Sequence, residues 1–406
     1  MFKNGSVMIR YNKKLIVIII ILTGLGYQTF IDIYLPGLPV ISDYFRVSSS
    51  YVQLSMTLYL LGSGVSFFFY GILSDVYGRK KLLLSGVLIC SAGTIMSLVS
   101  TDIHWFLFGR ILQGVGLGAT RLASPVLIDT LKGKTLVTAF VIYNISYSAI
   151  PILAPYFGGL ILKYYEWQII FVVLLIYILI ITLLIGFLLP ETLKNKREHL
   201  SLKTLINDIR SILSNKQFLW ITIVMTCSWG FIIVFNVLGP FLFQKIFHLT
   251  AYQYGTVTLI IGCVYMLATF INKILLHYIE PVLVLYISVF AAAICSSVFI
   301  ILSILGIDNM LLSLGITLLL SFSCGLLYVN GMTLTLPLFP FNTGLAAAIQ
   351  GSICVLIWTG ITGLIAIFMY SQLLLSLFYF ILSILSFIIL VVLSFKIRIT
   401  VPKHAN

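Results

Sequence analysis

Twelve apolar stretches run through this chain, at about residues 15–40, 51–73, 82–100, 104–127, 135–161, 168–189, 218–242, 252–276, 282–304, 310–338, 344–369 and 372–396. Each is long enough to cross the roughly 30 Å hydrocarbon core of a bilayer as a helix. With 61% of its 406 residues hydrophobic and 9% charged, the chain holds more apolar surface than a soluble domain could bury. It therefore reads as an all-α integral membrane protein with twelve transmembrane helices and no sizeable soluble domain. Residues 1–14 are basic, but the apolar run after them is longer than a signal-peptide core and reaches no small-residue cleavage site. That run reads as an uncleaved first helix.

The net charge of +13 would point to nucleic acid in a soluble protein, so its distribution across the membrane decides what it means. The connecting segments alternate between Lys/Arg-rich and Lys/Arg-poor. One set holds Lys3, Arg10, Lys13 and Lys14, then Arg79 to Lys81, Lys132 and Lys134, the cluster from Lys194 to Lys216, Lys273, and Lys396, Arg398 and Lys403. The other holds only Arg46, Lys163 and Lys245. The positive-inside rule makes the first set, and with it both termini, cytoplasmic. The basic excess is thus mainly a topology signal, and no nucleic-acid partner is expected.

The one long hydrophilic connection, residues 190–217, divides the chain into an amino-terminal six-helix bundle (1–189), a cytoplasmic linker and a carboxy-terminal bundle (218–406). From Leu200 the linker carries apolar residues at helical spacing. Short echoes support a duplicated unit. Asp32-Ile-Tyr-Leu-Pro36 is matched by Asn236-Val-Leu-Gly-Pro240, and Tyr51 with Thr57-Leu58 by Tyr252 with Thr258-Leu259. Two pseudo-symmetric halves with a site between them is the plan of many secondary transporters.

Six cysteines lie on separate predicted helices without CxxC spacing and read as small packing residues. Five histidines sit near helix ends or in loops and form no ligand cluster, so neither metal nor cofactor is expected. There is no Ser/His/Asp set, paired carboxylates or phosphate-binding Gly loop. The chain does not read as an enzyme or as an ATP-driven pump.

Charges inside a bilayer cost several kcal/mol, roughly, unless paired or facing water, so the few deep ones are the best functional pointers. Asp32 lies some 17 residues into helix 1, roughly 25 Å along it, and Arg110 on helix 4 reaches a similar depth. A pairing of the two is geometrically open. It reads either as a static buried ion pair or as a protonatable switch, in which exchanging the surroundings of the carboxyl drives proton uptake and release. Arg121 follows eleven residues later on nearly the same helical face and faces no second deep acid. It reads either as an arginine snorkelling or bonded to backbone, or as a contact for an anionic or zwitterionic substrate. Candidates for the cavity wall are Tyr27, Gln28, Tyr34, Tyr59, Tyr143, Asn144, Tyr147, Trp229, Asn236, Tyr265, Tyr328, Asn330 and Trp358, each of which reads first as core packing or an interfacial anchor and second as a substrate contact. Asn236, pseudo-symmetric to Asp32, is neutral, which places any proton coupling in the first half.

Between helices 2 and 3 the chain reads Gly71-Ile-Leu-Ser-Asp75-Val-Tyr-Gly78-Arg79-Lys80-Lys81. This resembles the major facilitator superfamily signature GxLxDxxGRKK. Gly71 and Gly78 permit close approach and a tight turn, Asp75 can cap or pair, and the basic residues anchor the cytoplasmic face. Asp32-Ile-Tyr-Leu-Pro-Gly-Leu-Pro39, Tyr51-Val-Gln-Leu, Arg110-Ile-Leu-Gln113-Gly114, Ile152-Leu-Ala-Pro155-Tyr-Phe-Gly158-Gly159 and Pro190-Glu191-Thr192-Leu193 look like the bicyclomycin-resistance (Bcr/CflA) type of drug/proton antiporter. In the second half the best matches are Tyr328-Val-Asn330-Gly-Met and Phe339-Pro340 through Gly344.

The resemblance implies a monomeric twelve-helix exporter of the bacterial inner membrane that alternates its access and exchanges cytoplasmic substrate for protons. The family's helix 1 acid falls on Asp32, its helix 4 arginine on Arg110, and its helix 5 antiporter motif on Pro155, Gly158 and Gly159. The chain departs from the pattern at Gly24 and Gln28, where related exporters can carry a second acid. It departs again at Pro125, where an arginine is usual and Arg121 stands one turn earlier. Both departures point away from a generic cationic drug. A proton symporter importing an organic acid or carboxylate siderophore would use the same residues. A non-transporting membrane receptor or scaffold would need none of the deep charges.

Overall fold

The structure, a computed structural model, describes residues 13–193, 202–339 and 343–396, apart from the side chains of Asp75 and of residues 202–205 and 395–396. Lys3, Arg10, Lys194, Lys196, Arg197, His199, Pro340, Arg398, Lys403 and His404 lie outside the described residues, as does the proposed pairing of the Asp75 side chain.

Twelve helical spans follow one another, numbered here 1 to 12. They are Lys13–Phe45, Ser49–Ser74, Arg79–Leu98, Ile103–Thr130, Gly133–Tyr164, Gln168–Leu188, Lys216–Ile246, Ala251–Leu275, Pro281–Ile304, Met310–Leu338, Thr343–Ile365 and Gln372–Ser394. Several starts are fixed by side chains that take up the orphan amides of a first turn. Asp102 accepts from the His104 N–H, Asn215 from Phe218, Asn309 from Leu311, and Thr250 with Gln253 forms a capping box. A further helix, Leu202–Ser214, occupies the linker, as its spacing predicts.

Two spans differ from the continuous helices expected of them. Span 1 breaks after Asp32, passes through a 3-10 turn at Leu35–Gly37 and resumes at Leu38–Phe45. Span 4 breaks after Leu117, tightens to 3-10 geometry over Gly118–Leu122 and resumes at Ala123–Thr130. Proline explains both. It has no N–H to give the carbonyl four residues earlier, and its ring collides with that carbonyl. Pro36 stands four residues after Asp32, and Pro125 four after Arg121. Arg110 and Arg121 therefore do not sit on one face of a single straight helix.

The contact pattern repeats between the halves. Span 1 packs on 5 and 6, span 2 on 4, and span 3 on 4 and 6. Six spans later, 7 packs on 11 and 12, 8 on 10, and 9 on 10 and 12. The halves meet along two symmetry-related pairs, 2 with 11 and 5 with 8. Large apolar residues such as Leu183, Phe187, Phe290 and Ile367 are left exposed around the outside, the surface a bilayer would cover. Both described ends of the chain lie at the same end of the bundle, called the terminal end below; the opposite end is the far end.

Candidate functional site

The halves are stitched together at the far end. There the Asn236 amide donates to Asp32 (3.2 Å), Gln244 to the Pro36 carbonyl (2.9 Å), Thr57 to Thr362 (3.0 Å), and Tyr156 contacts Tyr252 (3.3 Å). Lys245 bridges to Asp43 at 2.6 Å. Backbones come close as well: a Cβ at Gly158 would collide with the Ile33 carbonyl, and one at Gly159 with the Ala251 carbonyl. The small residues of the helix 5 motif thus let span 5 press against spans 1 and 8. Toward the terminal end the halves separate. A Cβ built at Gly71 or Gly344 would meet nothing within 4 Å. The close approach expected of Gly71 is therefore absent in this conformation, because the cleft between the halves opens at that end.

Asp32 lies at the closed floor of this cleft with no exposed surface. Its two carboxylate oxygens are each held by an amide, Gln28 Nε2 at 2.8 Å from its own helix and Asn236 Nδ2 from the other half. The expected pairing with Arg110 is not formed. Arg110, equally buried, is sandwiched between the rings of Tyr34 and Tyr59, 4.1 and 4.7 Å from their centroids. It donates to the Phe30 carbonyl (3.2 Å) and to Gln113 Oε1 (2.5 Å), one helical turn away. Its Nε and Nη2 have no partner among the described residues. A buried guanidinium with spare donors is costly.

Arg121 projects from the 3-10 segment into the open cleft and is exposed there. It lies 4.3 Å over the Phe67 ring and 6.0 Å from that of Tyr27, and makes no ion pair among the described residues. Tyr143 and Tyr147, stacked with centroids 6.0 Å apart, and Tyr328 from the second half are close enough to interact with its charge. Tyr147 also donates to Gln28 Oε1 at 3.4 Å. A hydrogen-bonded chain of two links thus joins the surroundings of Arg121 to Asp32. Across the cleft, Trp229 packs on Tyr265, Tyr328 and Trp358 at centroid separations of 5.2, 5.3 and 6.4 Å. The Trp358 indole is fixed by a 2.9 Å bond to the Thr226 carbonyl.

Other expected wall residues lie elsewhere. Tyr34 is fully buried against Arg110, Phe171 and Ser55, behind the cleft. Asn330 is buried between spans 8 and 10, donating to Asn272 Oδ1 at 2.8 Å. For both, the packing alternative holds: the polar group finds its partner within the protein and not in a cavity. Asn144 is exposed and joins no hydrogen bond among the described residues, while its neighbours Val141 and Ile145 are exposed apolar side chains.

At the terminal end, the signature between spans 2 and 3 ties three elements together. Gly78 takes φ +99°, and a Cβ there would strike the Glu191 carboxylate, so the tight turn needs glycine. Glu191 accepts from the Arg79 and Lys80 backbone amides (2.9 and 3.3 Å) and from its own neighbours Thr192 and Leu193 (3.0 Å each). The Arg79 guanidinium reaches Asp129 at the end of span 4 (3.2 Å) and Ser74. Glu191 and Gln113 stood within quoted motifs without a role assigned to them, and Asp129 carried no sequence signal.

The family model for the Major Facilitator Superfamily matches residues 16–358. The chain belongs to this superfamily of membrane transporters. It is 28% identical over 342 residues, 83% of this chain and 85% of the other, to the MFS-type transporter YdgK of Bacillus subtilis. It is 27% identical over 256 residues to the multidrug resistance protein MdtL of Citrobacter koseri, a match spanning 63% of this chain and 65% of that protein. Among solved structures it resembles the D-xylose-proton symporter with a TM-score of 0.76 at 14% identity, covering 94% of this chain and 97% of that one. It also resembles the human organic anion transporter MFSD10, with a TM-score of 0.64 at 16% identity, covering 93% and 99%. These two likenesses concern the fold alone.

Proposed function

We propose that this protein is a proton-coupled exporter of the bacterial inner membrane, of the bicyclomycin-resistance type, that moves small anionic or zwitterionic organic molecules by alternating access. In this reading the terminal end is cytoplasmic, as the basic segments ask, and the conformation is inward-open. Residues 1–189 and 218–406 rock as two bundles joined by 190–217, and the protein works as a monomer. The observation that carries the reading is the contrast between two charges. Asp32 is buried at the closed floor with an amide from each half on its oxygens, while Arg121, in the open cleft, makes no ion pair among the described residues.

Asp32 is the proton carrier. A carboxylate held by donors from both halves favours the far-end-closed state, and a neutral carboxyl holds those donors less strongly. Arg110, with its spare guanidinium donors, modulates that balance. Arg121 receives the substrate's negative group, within reach of the Tyr147 and Gln28 link to Asp32. The loop 2–3 signature ties the ends of spans 2, 3 and 4 to Glu191 within the first bundle, and the span 5 glycines let the two bundles close at the far end.

The test is efflux from proteoliposomes under an imposed pH gradient, with substrate binding measured alongside. Asp32→Asn, inserted normally, is expected to bind substrate but lose gradient-driven efflux. Undiminished proton dependence in that variant would remove Asp32 from the mechanism.

A further inference from the structure

Both sides of the cleft around Arg121 are aromatic, and among the described residues no carboxylate is free to face it. Asp32 has both oxygens engaged by amides and no exposed surface. An organic cation entering here would meet an uncompensated guanidinium, whereas an anion would supply the partner that Arg121 lacks. The Phe67 ring already occupies one face of the guanidinium at 4.3 Å. Gly351 of the second half also lies against the guanidinium, where an added Cβ would come within 3.4 Å of Nη2, so the part left for a ligand is the planar edge, whose parallel N–H groups match a carboxylate in two-point geometry.

The rest of the wall is built from flat faces. Tyr143 and Tyr147 are stacked at an interplanar angle of 24° on one side. Trp229, half-buried and flanked by Tyr328 and Trp358, offers its indole on the other. Span 5 and Trp229 line the same small cavity, which also includes Ser148 and Pro151. A ring held between these faces gains both buried area and edge or stacking contacts, which an alkyl chain of equal size would not.

Resting on the export reading above, we infer that the site is selective for planar aromatic monoanions. Their carboxylate is taken by the Arg121 edge, and their ring lies between the Tyr143/Tyr147 stack and Trp229. Aliphatic anions and aromatic cations are both excluded as good ligands, the first by lack of a ring and the second by Arg121.

Isothermal titration calorimetry of the purified full-length protein in nanodiscs tests this with four probes: 2-naphthoate, decanoate, 2-naphthamide and N-methylquinolinium. The expected result is that 2-naphthoate binds at least about tenfold more tightly than any other probe, in line with a charge-assisted pair plus ring contacts. Trp229→Leu is expected to weaken 2-naphthoate by roughly threefold to tenfold while leaving decanoate unchanged. Arg121→Gln is expected to abolish the preference for 2-naphthoate over 2-naphthamide, and Arg121→Lys to retain part of it. Because Arg121→Lys keeps the charge, and each variant is checked for a monodisperse helical species, loss of fold is separated from loss of ligand.

Decanoate binding as tightly as 2-naphthoate, with Trp229→Leu indifferent between them, overturns the aromatic selectivity and leaves the anion-export reading standing. N-Methylquinolinium or 2-naphthamide binding as well as 2-naphthoate, with Arg121→Gln indifferent, overturns both. Absence of binding by all four overturns the selectivity inference.

Discussion

Replacing Asn236 with leucine tests whether the contact between Asp32 and the second half decides which end of the transporter is closed. The substitution keeps the side chain's heavy-atom count and branching and removes one donor, the 3.2 Å amide bond to a carboxylate with no exposed surface. A hydrogen bond to a charged acceptor contributes about 1.5–3 kcal/mol. In the far-end-closed state the variant loses that bond and leaves one carboxylate oxygen buried and unpartnered. In the far-end-open state the same oxygen faces water. At about 1.4 kcal/mol per tenfold, the ratio of open to closed far end is expected to rise by roughly ten- to a hundredfold at a pH where Asp32 is ionised. Distances between spin labels at Thr101 and Met369, exposed far-end positions on the two halves, report the populations by double electron–electron resonance in a cysteine-free background. Protonating Asp32 weakens the same bond, so lowering the pH moves the wild type toward the variant's distribution and leaves the variant nearly unmoved. A distribution in Asn236→Leu within twofold of wild type at high pH, or an undiminished pH response in it, would refute the latch.

Glu191→Gln removes the charge that holds four backbone amides with one carboxylate. After discounting for its exposure, the expected loss is about 1 kcal/mol, read as a lower midpoint in thermal unfolding and as faster amide exchange at Arg79 and Lys80. An unchanged exchange rate there would contradict the clamp. Gly158→Val places side-chain carbons against the Ile33 carbonyl and is expected to push spans 1 and 5 apart, raising the ratio of open to closed far end by roughly five- to a hundredfold, an overpacking cost of about 1–3 kcal/mol. Wild-type far-end distances in that variant would show that the close approach carries no such weight.

Much of the fold was legible because a bilayer leaves few options. Twelve apolar runs, alternating basic loops and a mid-chain hydrophilic segment suffice when every backbone group must be satisfied within helices. The site was legible in its residues and less so in its pairings. Asp32, Arg110 and Arg121 stand out because charge is rare in the spans. Which of them meet depends on the angle between packed helices, and a sequence holds no direct record of that. Depth placed Arg110 beside Asp32, yet the two aromatic rings of Tyr34 and Tyr59 and the nearby Gln113 take up the guanidinium instead. The partner of Asp32 came from the pseudo-symmetric position in the other half, Asn236, read in the sequence as an uncharged counterpart and a wall candidate but not as its partner.

One further rule was available in the sequence and accounts for what the helical periodicity missed. Pro36, Pro125, Pro151 and Pro240 stand four residues after Asp32, Arg121, Tyr147 and Asn236 respectively. In each case the carbonyl of a cleft residue is denied its ordinary helical amide. At Asp32 and Arg121 the helix breaks outright; beyond Asn236 it widens into a π turn at Leu242–Ile246; at Tyr147 it continues through Pro151. A backbone missing one hydrogen bond bends at lower cost than one that is complete. The four side chains proposed to bind proton and substrate are thus carried at the points where their spans bend most readily. A change of charge or ligand at any of them acts directly on a hinge, which is what coupling a local binding event to the rocking of two bundles requires.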